Sequence, residues 1–142
     1  MTLPRDTMQE STLDKYLSHL AANERTALAA LVHRLRQCYG DDLLRVVLFG
    51  SKACGDSDKE SDIDVLVVVR MPDDDYWQHR RQISAIAGHL DLEHDVILST
   101  LLVDEAEFAE MRRANLLLNR NIQRDGIELW ISRQSAPISA SA

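Results

Sequence analysis

The sequence predicts an α/β chain, or a mixed α+β one, built round a small mixed sheet flanked by helices. Three observations carry this. The apolar run Val46-Val47-Leu48-Phe49 stops abruptly at Gly50-Ser51. A second run, Ile63 to Val69, is apolar at both alternating sets of positions beyond Asp64, the pattern of a strand buried on both faces and central in its sheet. Around these runs lie segments whose apolar residues recur at helical spacing, so strands and helices interleave.

At 142 residues the chain is expected to be one domain, able to bury roughly two-thirds of its unfolded surface. A formal charge of −7 speaks against a broad basic surface for nucleic acid, although Arg112, Arg113, Arg120 and Arg124 lie close together in sequence. Cys38 and Cys54 are too few for a disulfide framework and lack zinc-ligand spacing, which fits a reducing cytoplasm. The first residues show no apolar signal region, and no stretch is long enough to span a membrane, so a cytoplasmic protein is expected.

Residues 1–11 read as a flexible lead-in. Residues 12–131 form the expected domain, with N-terminal helices over 12–42 and a core over 43–131. Leu13, Tyr16, Leu17 and Leu20 predict a short amphipathic helix. Asn23 can cap a second helix, with Glu24 in its first turn and Leu28, Leu31, Val32, Leu35 and Cys38 as its apolar stripe. Gly40-Asp41-Asp42 stops it. After the first strand, residues 52–61 are polar and predict a loop or a brief helical turn. Pro72-Asp73-Asp74-Asp75 starts a helix whose face runs from Tyr76 or Trp77 through Ile83, Ile86 and Ala87 to Leu90. Leu92 to Val103 reads as a strand interrupted by His94 and Asp95. Asp104 with Glu107 predicts a capping box for a further helix, and helical material continues through Ile122 to Asp125-Gly126. Ile127 to Trp130 suggests a last strand, and the Ser- and Ala-rich tail over 132–142 is expected to be disordered.

Chemistry concentrates where the first strand meets the second. In a strand, residues two apart share a face, so Asp62 and Asp64 project together while Ile63 and Val65 enter the core. Two carboxylates held so close repel unless a cation lies between them. Mg²⁺ suits that need, since it takes one or two carboxylates together with phosphate oxygens and waters. The Ser51 hydroxyl, neighbouring backbone N–H groups and Lys52 can cradle the phosphates of a nucleotide, and Gly50 permits close backbone approach. An Asp-x-Asp alone is most often a solvated strand edge, and a Gly-Ser turn alone says less. Their combination in this order predicts nucleotidyl transfer.

At these residues the chain resembles the minimal nucleotidyltransferase family of the polymerase-β-like superfamily. The pattern is Gly-Ser, about ten residues, then Asp-x-Asp, here Gly50-Ser51 and Asp62-Ile63-Asp64. The wider likeness covers about residues 44–130, and Asn121 to Leu129 is similar to the family's closing Asn-Ile-x-x-Glu-Gly-Ile segment. The resemblance implies a polymerase-β-like fold, ATP as donor, Mg²⁺, and a third carboxylate on the strand beside Asp-x-Asp. Asp95, ahead of Val96-Ile97-Leu98, is the expected third acid, with Glu93 and then Asp91 in reserve. Many relatives read Gly-Ser-Arg-Ala-Arg-Gly, whereas this chain has Lys52 and Cys54, losing one bidentate cation fork and one cation altogether.

Little sequence is left over for a separate acceptor-binding domain. The resemblance therefore implies the antitoxin half of a HEPN/minimal-nucleotidyltransferase pair, which transfers AMP from ATP to a tyrosine of its HEPN toxin. The expected partner is that toxin, with the N-terminal helices as docking face and no direct nucleic-acid or membrane binding. Two alternatives stand beside it: nucleotidyl transfer to a small hydroxylated molecule such as an aminoglycoside, and a non-catalytic antitoxin acting by occlusion.

Overall fold

The computed structural model describes residues 17–54 and 62–132. Helix α1 (Ala22–Tyr39) leads through a 3-10 turn (Gly40–Asp42) into strand β1 (Leu43–Phe49). The short helix α2 (Ser51–Cys54) follows Gly50. Then come β2 (Ile63–Val69), α3 (Tyr76–His94), β3 (Leu98–Asp104), α4 (Glu105–Ala114), α5 (Leu117–Asp125) and β4 (Ile127–Ile131). The described strands form one mixed sheet in the order β3-β2-β1-β4. β1 is antiparallel to both β2 and β4, while β2 and β3 run parallel, with α3 supplying the crossover that a parallel pair needs. β2 is interior, as its doubly apolar pattern requires.

Each sheet face has its own core. Ile63, Val65, Val67 and Val69 of β2 join Leu28, Leu31 and Leu35 of α1 and Ile83, Ala87 and Leu90 of α3. The alternate residues Leu66 and Val68 pack on the other face with Val47, Phe108 of α4 and Ile122 of α5. Strand alternation thus sorts one sequence into two apolar layers, and burial of side chains such as Leu28, Leu31 and Leu66 stabilises each by about 1.5–3 kcal/mol.

Caps explain most helix boundaries. Asp75 Oδ1 accepts from the Gln78 N–H at 3.2 Å, and Asp104 Oδ1 from the Glu107 N–H at 2.7 Å, as the sequence led one to expect for both helix starts. α1 differs. Its first residue is Ala22, and Glu24 Oε1 reaches back to the Ala21 N–H at 2.9 Å. Asn23 is not the cap; its amide donates to the carbonyls of His94 and Asp95 at 2.9 and 3.3 Å, fastening α1 to the end of α3.

Three further expectations need correction. Residues 17–20 form a turn, closed by the Leu20 N–H on the Leu17 carbonyl at 3.0 Å, that buries both leucines. The strand expected from Leu92 begins only at Leu98, because α3 continues to His94 and Leu92 stands 90% exposed on it. Ser132, the first residue of the expected tail, is buried, and its N–H donates to the Leu44 carbonyl at 2.9 Å. The expected lead-in, the helix residues before Leu17, the loop over 55–61 and the tail over 133–142 lie outside the described residues.

Candidate active site

β1 ends beside the start of β2, with Phe49 opposite Asp64 in the antiparallel register. The chain then turns at Gly50, which has φ +75, in the left-handed region that side chains avoid. A Cβ at Gly50 would stand 3.3 Å from Asp64 Cγ and overlap Asp64 Oδ2. Glycine is therefore needed twice over, for its backbone conformation and for the space that the carboxylate occupies. α2 follows at once, the Ala53 and Cys54 N–H groups donating to the Gly50 carbonyl at 3.1 and 3.3 Å, and Ser51 opens this helix.

Asp64 alternates with Leu66 and Val68 and so lies on the sheet face covered further along by α4 and α5. It is half-buried, while Asp62, two residues earlier, is exposed. Burial pushes the Asp64 carboxyl above the usual carboxylate range, and the nearby charge of Asp62 pushes it the same way. Asp91 is raised too, first by burial and also by Asp62, against the hydrogen bond it accepts from Leu98. Asp62 therefore acts on an acid on either side of it, one on β2 and one near the end of α3.

Among the described residues no three His, Cys, Asp or Glu side chains stand together as a metal cage. The donor set nonetheless fits Mg²⁺, which needs only one or two protein carboxylates when waters and phosphate oxygens complete its shell. Asp62 and Asp64 are hard oxygen donors, and the glycine cradle keeps the Asp64 carboxylate in place without filling the space beside it.

The other expected site residues are placed differently. Asp95 is not on a strand. It is the C-cap of α3 in the left-handed conformation (φ 56, ψ 53) and exposed, because the helix runs four residues further than the apolar pattern suggested. Glu93 is exposed on the last turn of α3. Asp91 Oδ1 accepts from the Leu98 N–H at 2.8 Å, fastening the first residue of β3. Lys52 lies inside the protein, 2% exposed, with Nζ 2.6 Å from Glu24 Oε2. Its ammonium faces Glu24 of α1. Cys54 is exposed at the end of α2.

Sequence reasoning missed two neighbours of the expected site residues. Ser99 of β3 lies directly beside Asp64 in the parallel register and is exposed, a placement that no local pattern signals. Glu24 was legible only as a favourable residue in a first helical turn; its ion pair with Lys52 spans 28 positions and leaves no periodic trace.

A family model described as "Nucleotidyltransferase domain" matches residues 28–127. The Methanocaldococcus jannaschii protein named "Putative protein adenylyltransferase MJ0604" is 31% identical over 108 residues, covering 76% of this chain and 99% of that protein. A second protein of that organism, "Putative protein adenylyltransferase MJ0141", is 43% identical over 63 residues, 44% of this chain; the match spans 61% of its length. Among solved structures, that of "a putative nucleotidyltransferase from Sulfolobus solfataricus" superposes with a TM-score of 0.53 at 20% identity, covering 84% of this chain and 91% of the other, a likeness of fold alone.

Proposed function

The chain belongs to the nucleotidyltransferase domain family and is a nucleotidyltransferase; from that premise we propose that it transfers AMP from ATP to a tyrosine hydroxyl on a partner protein, a toxin of the HEPN type, and thereby neutralises it. The observation that carries the proposal is the packing of the Asp64 carboxylate into the Gly50 turn with Asp62 beside it. A protein acceptor is supported by the name that both curated relatives bear.

In this reading Asp62 and Asp64 hold Mg²⁺, which when bound neutralises phosphate charge and favours departure of pyrophosphate. Gly50 and Ser51 form the turn along which the triphosphate lies. The acceptor oxygen attacks the α-phosphorus, forming a new P–O bond as the bond to the bridging α,β oxygen breaks. Pyrophosphate leaves with the electron pair, and the hydroxyl proton passes to a carboxylate. Asp95 is the proposed acceptor of that proton and third acid, with Asp91 the alternative at the same junction between α3 and β3. The half-buried state of Asp64 withholds part of its carboxylate from water, which strengthens its attraction for a cation.

The test is to mix the protein with Mg²⁺, ATP and a candidate HEPN-type toxin and to weigh the toxin intact. A gain of one or more AMP units, lost in Asp62→Ala/Asp64→Ala, is the expected result. Neutralisation with no mass change, unaffected by that double substitution, would replace catalysis with occlusion.

A further inference from the structure

Lys52 sits two residues beyond Gly50, at the second position of α2, yet its ammonium turns inward to Glu24 at 2.6 Å. Both side chains are nearly closed to solvent, at 3% and 10% exposure. Glu24 uses both carboxylate oxygens: Oε1 accepts the Ala21 N–H at 2.9 Å, which fixes the start of α1, and Oε2 faces the Lys52 ammonium. The same segment makes a second contact, from the His19 ring Nε2 to the Lys52 carbonyl. The N-terminal segment therefore grips the residue after the Gly50-Ser51 turn by side chain and backbone together, while Gly50 itself packs on the Asp64 carboxylate.

A buried ion pair adds little net stability compared with apolar residues of the same volume, because desolvation offsets most of the attraction. What it does fix is geometry, since either charge left alone in the interior is strongly unfavourable. α2 is four residues long and cannot hold its orientation by its own hydrogen bonds. An external brace is needed to set the angle at which the chain leaves Gly50, and with it the fit of Gly50 against Asp64.

We propose that Glu24 and Lys52 are positioning residues, a buried brace from α1 that sets the Gly50-Ser51 turn for nucleotide binding, and that Lys52 works through Glu24 without touching the nucleotide. The brace acts on the proposed nucleotide site and so rests on that reading. It differs from the role in which Lys52 grips phosphate, because the two make opposite predictions for paired substitutions.

The experiment measures Mg·ATP affinity calorimetrically, and KM and kcat where turnover is found, for the wild type, Glu24→Gln, Lys52→Gln, the swapped pair Glu24→Lys/Lys52→Glu and the apolar pair Glu24→Met/Lys52→Met. Each single variant is expected to weaken nucleotide binding about tenfold, with a larger change in KM than in kcat. The pair that refolds, swapped or apolar, is expected to recover to within about threefold of the wild type, because either re-establishes contact between α1 and α2. Thermal melting identifies which pairs are folded before they are compared. If every folded pair remains as weak as Lys52→Gln, Lys52 itself contacts the nucleotide and the brace is overturned. If Glu24→Gln binds as well as the wild type, the brace is equally overturned. A wild type that binds no nucleotide with Mg²⁺ present would instead overturn the site reading on which the brace rests.

Discussion

Gly50 and Asp64 share a space that admits only one side chain: a Cβ on the first would overlap the carboxylate of the second. With φ at +75, Gly50 is also in a conformation that costs an L-residue about 1–3 kcal/mol. Gly50→Ala should therefore lower stability by about 2 kcal/mol and displace Asp64, lowering transfer at least about a hundredfold. Urea unfolding and initial rates on the same preparation test both parts. A variant with wild-type activity would show that the Asp64 position does not depend on the turn.

The raised carboxyl of Asp64 gives a stability prediction with a definite sign. In the folded state it binds its proton more tightly than in the unfolded chain, so stability falls as pH rises from the unfolded pKa through the folded one. At neutral pH the cation-free protein carries this cost in full. Asp64→Asn should thus raise Tm at pH 7 by roughly 1–3 °C while abolishing transfer. The gain should disappear below pH ~4, where the unfolded carboxyl is itself protonated. Mg²⁺ should raise the Tm of the wild type and leave the variant unmoved. Melting curves across pH, with and without Mg²⁺, decide the matter; a variant less stable than the wild type at pH 7 would contradict it.

The limits of the sequence follow from which interactions are local. β2 was legible to the residue, since Ile63 to Val69 carries its two-faced burial in its own composition and Asp62 marks its entrance. Asp104 was legible as a cap because a cap acts within three residues, whereas Asp75 was legible only as part of the Pro72–Asp75 helix start. The junction between α3 and β3 was not, because Leu90 and Leu92 alternate and Val96-Ile97-Leu98 is apolar throughout, a pattern that fits a strand as well as a helix end. What decides it is Asp95 in the left-handed conformation and Asp91 reaching forward to Leu98. The Lys52–Glu24 ion pair was hidden for the same reason in stronger form, its two ends lying on different helices.

That junction separates two acids experimentally. Asn tolerates the left-handed conformation well, so Asp95→Asn should keep the α3 cap and wild-type Tm while removing a carboxylate. If Asp95 is the third acid, transfer falls about a hundredfold with no loss of stability. Asp91→Ala removes the acceptor for the Leu98 N–H and should cost about 1–2 kcal/mol. Rates corrected for folded fraction then assign the role. A normal rate in Asp95→Asn with a collapsed one in Asp91→Ala would move the third acid to Asp91.

Arg45 and Glu128 join β1 to β4, with Arg45 Nη1 2.9 Å from Glu128 Oε1 and Arg45 opposite Val68 on β2. The register shift between Leu43 and Arg45 lets Leu44 and Arg45, though consecutive, both serve the α4/α5 face, where the guanidinium lies 5.2 Å from the centroid of the Phe108 ring. Arg45 is 3% exposed, so truncating Glu128 removes a carboxylate partner from a nearly buried cation. Glu128→Ala should lower stability by about 3 kcal/mol, whereas Arg45→Met/Glu128→Leu should return to within about 1 kcal/mol of the wild type, because removing both charges also removes their desolvation cost. Urea titrations of the two variants test this. Since Arg45 stands opposite Val68, at the end of β2 away from Asp62, folded protein should keep its Mg·ATP affinity in both; a loss of affinity in the double variant would mean that the β1/β4 pair also sets the geometry of the Gly50 turn.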